Sequence, residues 1–256
     1  MLTGIFDTHA HYDDPCFEED RDVLLASMSD KGVARIVNVG SNLEWSRVSV
    51  KIAEKFDFVY ASVGVHPDGA DKVPGDYLEQ LADLSKHPKV VALGEIGLDY
   101  YYGKETQEEQ RKVFRQQLAL AKDLNLPVII HDRDAHGETL DLLREFRPKG
   151  IVHCFSGSAE MATEVAKLGM YVGFTGVVTF KNARKALEAV AALPVDRILL
   201  ETDCPYMAPV PFRGKRCDSS MLPQTAQAIA QIKRMDPQAL VDATYENGCR
   251  VYNLSR

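Results

Sequence analysis

Six residues with metal-binding side chains stand at the ends of apolar runs in this sequence. Each run is short enough to form a buried β-strand. The six residues are His9, His11, Glu95, His131, His153 and Asp203. Imidazole and carboxylate groups are the side chains that hold one or two divalent cations in hydrolases. The residue types and their positions therefore predict a metal-dependent hydrolytic centre.

The first two histidines are separated by a single residue. Alternate side chains of a β-strand point to the same face, so His9 and His11 can bind one ion together. Such a pair alone is a weak indication, since two polar residues near a loop would give the same pattern. Asp7 on the same face and the other candidates elsewhere in the chain strengthen the metal-site interpretation.

Glu95 and Asp203 are the two carboxylates of the predicted centre. Glu95 follows an apolar run, and a carboxylate buried in a strand needs a compensating partner. A metal is the simplest partner, and two oxygens could bridge two cations. A buried salt bridge to Arg133 is the alternative. Asp203 is expected to bind metal and to accept a proton from water, with Glu201 one layer deeper in the barrel.

Five further residues are predicted to contact the substrate. His66 ends the third apolar run and could contact a phosphate or the leaving group, although a loop histidine would fit the same position. Arg133 shares the strand face of the fifth run and could hold a phosphate or form a salt bridge. The basic cluster of Arg213, Lys215 and Arg216 follows the last run. A solvated loop is its default interpretation, and a phosphate contact is the functional one.

Eight strand candidates must position these side chains. They cover residues 4–11, 33–40, 58–66, 90–98, 127–132, 150–155, 171–175 and 197–203. The stretches between them are long enough for crossover helices, as parallel strands require. A ring of parallel strands brings their C-terminal ends to one face, whereas an open doubly wound sheet places ligands at one switch point. The spread of ligands over five strands favours an α/β fold, a (β/α)8 TIM barrel forming a single domain over residues 1–256.

Helical patterns fill the stretches between these strands. The clearest covers residues 106–125, where apolar residues recur at spacings of three and four. Weaker patterns cover residues 18–31 and 42–56. The tail, residues 223–256, is expected to form two helices that separate near Asp236 and Pro237.

The composition limits the classes of function. The net charge of −7 over 256 residues argues against a protein that coats nucleic acid by bulk charge. The five cysteines are odd in number and form no CxxC pair, which indicates a reducing compartment. Cys154 and Cys204 are expected to face away from the centre. No apolar run is long enough for a membrane helix, and the start lacks a signal-peptide pattern, so we expect a cytoplasmic protein.

The same residues resemble a known family, the TatD-related metal-dependent deoxyribonucleases of the amidohydrolase superfamily. The resemblance covers essentially the whole chain in order. Its matching segments are residues 7–11, 64–67, 94–99, 130–133, 153–157 and 201–205, with the cluster 213–216 and Asn247 also similar.

The resemblance implies a barrel with a divalent-metal centre that hydrolyses phosphodiester bonds in DNA. In that family the ligand roles would fall on His9 and His11 with Asp203 at one metal, and on His131 and His153 at the other. Glu95 would lie between them. The resemblance implies Mg²⁺ or Mn²⁺ as the activating ion, while the imidazole ligands also suit Zn²⁺. One or two ions are therefore expected.

The predicted activity is a 3′ to 5′ exonuclease acting on single-stranded DNA or on 3′ ends. Asp203, Glu95 and His66 are its predicted catalytic residues, and no membrane or obligate protein partner is expected. One alternative is an amidohydrolase-type barrel that cleaves a C–N, ester or lactone bond. Many such enzymes bridge their metals with a carboxylated lysine from strand four, where this chain offers Glu95. A non-catalytic nucleic-acid-binding protein is the second alternative, which the net charge of −7 and a single tryptophan disfavour.

Overall fold

Eight parallel strands alternate with helices along the chain. A computed structural model describes residues 1–255, so residue 256 of the predicted domain lies outside the described residues. The strands are β1 (Ile5–Ala10), β2 (Val33–Val39), β3 (Val59–Val63), β4 (Val90–Asp99), β5 (Val128–Arg133), β6 (Gly150–Val152), β7 (Tyr171–Phe174) and β8 (Ile198–Leu200).

The strands pair in chain order from β1 to β8, and every pair is parallel. Hydrogen bonds bring the end of β8 against β1. The Asp203 N–H donates to the His9 carbonyl at 2.9 Å, and the His11 N–H donates to the Cys204 carbonyl at 2.9 Å. The predicted (β/α)8 barrel is therefore confirmed over the rival open sheet.

Nine helices surround or close the barrel in residues 1–255. They are α1 (Arg21–Ala26), α2 (Leu43–Lys55), α3 (Tyr77–Leu84), α4 (Gln107–Asp123), α5 (His136–Phe146), α6 (Ala159–Lys167), α7 (Arg184–Ala192), α8 (Leu222–Lys233) and α9 (Pro237–Val251). The predicted tail helices are confirmed, because Asp236 caps α9 and Pro237 begins it. None of these helices combines the length and the apolar character that a membrane crossing requires.

The predicted helix over residues 18–31 is wrong in its extent. Helix α1 has only six residues, and a separate 3-10 turn (Ser29–Lys31) follows it. Leu25 is the one buried residue of α1, so packing supports little more than one helical turn there.

Side chains on the inner face of the barrel strands form an apolar layer with a polar layer above it, toward the C-terminal ends of the strands. Ile129, Ile151 and Leu199 are buried together in one cluster with residues from the end of α9. His131 and His153 come two residues after the first two of these, so they continue the same face at the C-terminal end. The apolar side chains of the barrel interior thus form a packed core directly beneath the polar side chains.

Strands β6 and β8 are shorter than predicted. They end at Val152 and Leu200, so His153 and Asp203 lie just beyond regular strand structure. The backbone is left-handed at Cys154 (φ +40°) and Asp203 (φ +57°), and such a residue cannot continue a strand. The turn also makes Cys154 line the cavity at the barrel mouth, so the expectation that it faces away is wrong.

Candidate metal centre

A cavity of about 1230 Å³ opens at the C-terminal ends of the strands. Its lining includes His66, Arg133 and five of the six predicted ligands. The sixth, His9, is completely buried beneath it. The structure therefore brings all the residues of the predicted centre to the face where barrel enzymes have their active sites.

The first group of ligand atoms gathers around one oxygen of Glu95. The Nε2 atoms of His9 and His11 each lie 3.6 Å from Glu95 Oε2. They also lie 3.7 and 3.6 Å from Asp203 Oδ1, and they are 3.0 Å from each other. Two nitrogens and two carboxylate oxygens thus face a common point, which is a suitable donor set for a divalent cation.

The second group gathers around the other oxygen of the same glutamate. Glu95 Oε1 lies 2.8 Å from His131 Nδ1 and 2.6 Å from His153 Nε2. His66 Nε2 is 3.7 Å from this oxygen. One carboxylate therefore faces both groups, and it could bridge two cations if each group held one.

His66 has a position that its sequence context did not reveal. The pattern suggested a contact with substrate, whereas the structure places His66 with Glu95 and His131 as a third triad of candidate ligands. Its Nδ1 lies 2.8 Å from Asp68 Oδ1, which orients the ring with Nε2 toward the centre. His66 is thus available both as a ligand and as a contact for substrate.

Neighbouring acceptors select the nitrogen that each histidine presents. His11 Nδ1 lies 2.8 Å from the Val39 carbonyl, so it must donate there and leave Nε2 unprotonated for a metal. His131 uses the opposite arrangement, because its Nε2 lies 3.2 Å from Asp99 Oδ2 and its Nδ1 faces Glu95. Sequence reasoning missed the role of Asp99, although it lies in the family-matching segment 94–99.

The centre requires positive charge. Burial disfavours an ionised Glu95, yet the charges of His153 and His66 hold the pKa of Glu95 well below its usual range. Burial likewise opposes protonation of His131, but hydrogen bonds to Asp99 and Glu95 raise the pKa of His131 to about 10. Protons or metal cations can supply this charge, and metal binding displaces the protons. The donor set and the electrostatics therefore both fit a metal centre.

A buried aspartate holds the two edges of the centre in place. Asp7 is fully buried and accepts hydrogen bonds from the Thr202 N–H at 2.9 Å, the Thr202 hydroxyl at 2.6 Å and the Ser219 hydroxyl at 2.6 Å. These bonds link β1, which carries His9, to the segment that carries Asp203. Asp7 thus acts by positioning, whereas the sequence showed only that it shares the strand face.

The predicted substrate contacts have different surroundings. Arg133 lines the cavity and forms no ion pair with Glu95 among the described residues. The basic cluster lies outside the cavity lining. Its Arg216 pairs with Asp20 at 2.5 Å, which fits the solvated-loop interpretation. Arg213 lies over the Phe180 ring and Lys215 near the Phe212 ring. Substrate contacts by these three residues stay a prediction.

The turn that carries Asp99 depends on a buried glutamine. Gln110 accepts a hydrogen bond from the Asp99 N–H at 2.8 Å and donates to the carbonyls of Asp99 and Gly103 at 3.0 Å each. Gln110→Ala should therefore lower the free energy of unfolding by about 3 kcal/mol, because it leaves buried backbone groups unpaired. Urea unfolding measures this loss. Glu109→Ala, at an exposed position of the same helix, is the control, and equal losses in both variants would contradict the role of Gln110.

Metal binding to these groups should stabilise the folded protein. Mn²⁺ or Zn²⁺ at about 100 times its Kd contributes about 2.7 kcal/mol, which raises the Tm of chelator-treated protein by roughly 5–10 °C. Differential scanning calorimetry measures the shift. His11→Ala should remove the part of the shift that comes from the first group, while His87→Ala, outside the cavity lining, should retain the whole shift. An undiminished shift in His11→Ala would show that the metal binds elsewhere.

Comparisons with known proteins agree with the geometry. A family model described as "TatD related DNase" matches residues 6–253. The chain is 42% identical over 254 residues to the "uncharacterized metal-dependent hydrolase YabD" of Bacillus subtilis, covering 98% of this chain and 100% of the relative. It is 34% identical to the "3'-5' ssDNA/RNA exonuclease TatD" of Pectobacterium parmentieri, covering 98% and 100% of the two chains.

A solved structure shows the same architecture. The crystal structure of YjjV, a TatD homologue from Escherichia coli K12, has a TM-score of 0.93 and 32% sequence identity, with 100% of both chains covered. The resemblance noted from the sequence motifs is thus confirmed over nearly the entire chain. The chain therefore belongs to the family of TatD-related DNases, and it is a metal-dependent hydrolase of the TatD type.

Proposed function

We propose that this protein is a metal-dependent exonuclease that removes nucleotides from the 3′ end of single-stranded DNA. The observation that carries the proposal is the position of Glu95, whose two oxygens face two separate groups of ligand atoms. A centre that could hold two cations suits in-line displacement at a phosphodiester, where both the attacking and the leaving oxygen carry charge. The relative named as an ssDNA/RNA exonuclease supports the substrate class and extends it to RNA.

The first group would hold one ion through His9, His11 and Asp203, and the second would hold another through His131 and His153. Glu95 would serve both, and His66 could join the second group. Divalent ions bound there supply Lewis-acid stabilisation of the phosphate and lower the pKa of water. Mg²⁺ and Mn²⁺ are the proposed activating ions, and Zn²⁺ also suits the imidazole ligands.

The side chains around these groups would transfer the proton and contact the phosphate. Asp203 accepts the proton of the attacking water on its carboxylate as the bond from phosphorus to the 3′ oxygen breaks, and the leaving 3′ oxygen takes a proton from solvent to become a hydroxyl. Arg133 in the cavity lining offsets the phosphate charge. His66 contacts the phosphate or the leaving oxygen. The proposal keeps the cytoplasmic location expected from the sequence and requires no protein partner.

Degradation of labelled DNA tests the proposal directly. Purified protein is incubated with 3′-end-labelled single-stranded DNA and with Mg²⁺, Mn²⁺, Zn²⁺ or EDTA. We expect metal-dependent release of the labelled 3′ nucleotide. A strand of the same sequence that carries its label at the 5′ end should become shorter one nucleotide at a time. Absence of cleavage, with metal bound in stoichiometric amount, would contradict the proposal. A panel of lactones, cyclic amides and esters would then test the amidohydrolase alternative.

A further inference from the structure

Two neighbouring tyrosines at the cavity rim are unusually exposed. The exposed fractions of Tyr101 and Tyr102 are 51% and 74%, and both rings line the cavity mouth. Their ring centroids are 4.7 Å apart, and the ring planes are nearly perpendicular. Exposed aromatic rings beside an active site commonly mark a binding surface, because their exposure to water has a free-energy cost.

The turn that carries these rings is fixed by hydrogen bonds. Asp99 Oδ1 accepts from the N–H groups of Tyr101 and Tyr102 at 2.9 and 2.8 Å. Gln110 holds the same turn from beneath. The other oxygen of Asp99 lies 3.2 Å from His131 Nε2, so one carboxylate connects the exposed rings to the candidate metal centre. The backbone that carries the two rings is therefore held at a fixed position relative to the centre.

A cation lies against both rings. The guanidinium carbon of Arg133 is 4.4 Å from the Tyr101 ring centroid and 4.7 Å from that of Tyr102. Aromatic rings combined with a guanidinium form the type of surface on which nucleic-acid bases stack while adjoining phosphates are neutralised. A small neutral substrate would not require this combination.

Charge around the mouth is unevenly distributed. The loops after β1 and β3 contribute the carboxylates of Asp14 and Asp68 to the lining, whereas the start of α7 contributes the exposed cations Arg184 and Lys185. In a ring of eight strands, β5 with Arg133 lies opposite β1. The segments after β4 and β5 also contribute the carboxylates of Asp99, Asp132 and Asp134, so Arg133, Arg184 and Lys185 offer local phosphate contacts rather than a uniformly positive side.

We propose that Tyr101 and Tyr102, together with Arg133 and Lys185, form a subsite for single-stranded nucleic acid. A nucleobase stacks on the tyrosine pair, and backbone phosphates next to it contact Arg133 and Lys185. This inference rests on the proposed function, since it assumes that the phosphodiester at the centre belongs to a polynucleotide. It assigns the path by which the strand leaves the centre.

Binding without catalysis tests the subsite separately from the reaction. A fluorescein-labelled thymidine 12-mer is titrated with protein in EDTA, and fluorescence anisotropy gives the Kd. The double variant Tyr101→Ala/Tyr102→Ala should weaken binding at least tenfold. Tyr206→Ala is the matched control, because Tyr206 is an exposed tyrosine of the same cavity that contacts Asp14 on the β1 side. The control should change the Kd less than twofold.

Two further variants test stacking and phosphate contact. Tyr101→Phe/Tyr102→Phe keeps the rings and should bind like the unaltered protein, which separates stacking from loss of the hydroxyls. Lys185→Ala should reduce the slope of log K against log salt by about 0.7, the value for one phosphate contact on a single strand. An unchanged Kd in the double alanine variant, or an equal loss in Tyr206→Ala, would overturn the subsite.

Kinetics distinguish this inference from the proposed function. The double alanine variant should raise KM at least tenfold for the oligonucleotide while kcat stays within twofold. The kcat for bis(p-nitrophenyl) phosphate, a diester that is not part of a strand, should also stay within twofold. Normal cleavage of DNA by the variant would overturn the subsite and leave the nuclease intact. Selective loss of binding in a protein that cleaves no DNA would support the subsite and contradict the nuclease.

Discussion

Replacing Glu95 with glutamine is expected to lower kcat for phosphodiester hydrolysis by roughly a thousandfold or more. The substitution keeps the size of the side chain but removes the charge from the residue that faces both ligand groups, with its oxygens 2.6 to 3.7 Å from five imidazoles. Loss of metal-derived charge stabilisation is worth several kcal/mol of the activation barrier, and each 1.36 kcal/mol corresponds to a factor of ten in rate.

Single-turnover cleavage of an oligonucleotide and metal content by mass spectrometry measure this effect together. Glu95→Gln should lose both activity and at least one equivalent of metal at a limiting metal concentration. Glu54→Gln, an exposed carboxylate that pairs with His87, is the control and should keep both. Activity within tenfold of the unaltered enzyme would contradict a central role for Glu95.

Asp203→Asn is expected to reduce kcat by about 10²- to 10⁴-fold, the usual contribution of a group that accepts a proton during the reaction. The amide cannot accept the proton from water, although it preserves the shape of the side chain. The second ligand group around His131 and His153 is untouched, so it should still bind metal. The expected result is therefore a folded, metal-binding protein with little hydrolysis.

Two measurements test whether Asp203 accepts the proton. They are the hydrolysis rate over a range of pH and metal titration by calorimetry. If Asp203 accepts the proton, the residual rate of Asp203→Asn should rise with hydroxide concentration across the neutral range, since solvent base replaces the carboxylate. Asp196→Asn, on the short 3-10 turn before β8, is the control and should retain full activity. Full turnover by Asp203→Asn with metal bound would exclude the proposed proton transfer.

Much of the barrel could be predicted because its signals are local. The alternation of strand-like and helical patterns predicted the order of all eight strands and both C-terminal helices. The errors fell where packing overrides the local pattern. Residues 18–31 show a helical pattern, yet only Leu25 of α1 is buried, so that helix is short. The predicted strands over residues 150–155 and 197–203 include Cys154 and Asp203, whose left-handed backbone conformations are incompatible with a strand, and β8 ends earlier still, at Leu200.

The sequence by itself determined which chemical groups stand at the ends of the strands. Side-chain alternation has a period of two residues, so His9 with His11, and Ile129 with His131, must share a face once a strand forms. The tertiary structure alone decided which oxygen of Glu95 faces which histidines.

Tertiary structure also joined pairs that no local pattern connects, such as Arg216 with Asp20, 196 residues apart, and Asp7 with Ser219, 212 residues apart. Local backbone geometry fixes the direction of a side chain relative to its own strand. Distances between side chains on different strands depend on strand register and barrel closure, which arise only when the whole chain packs.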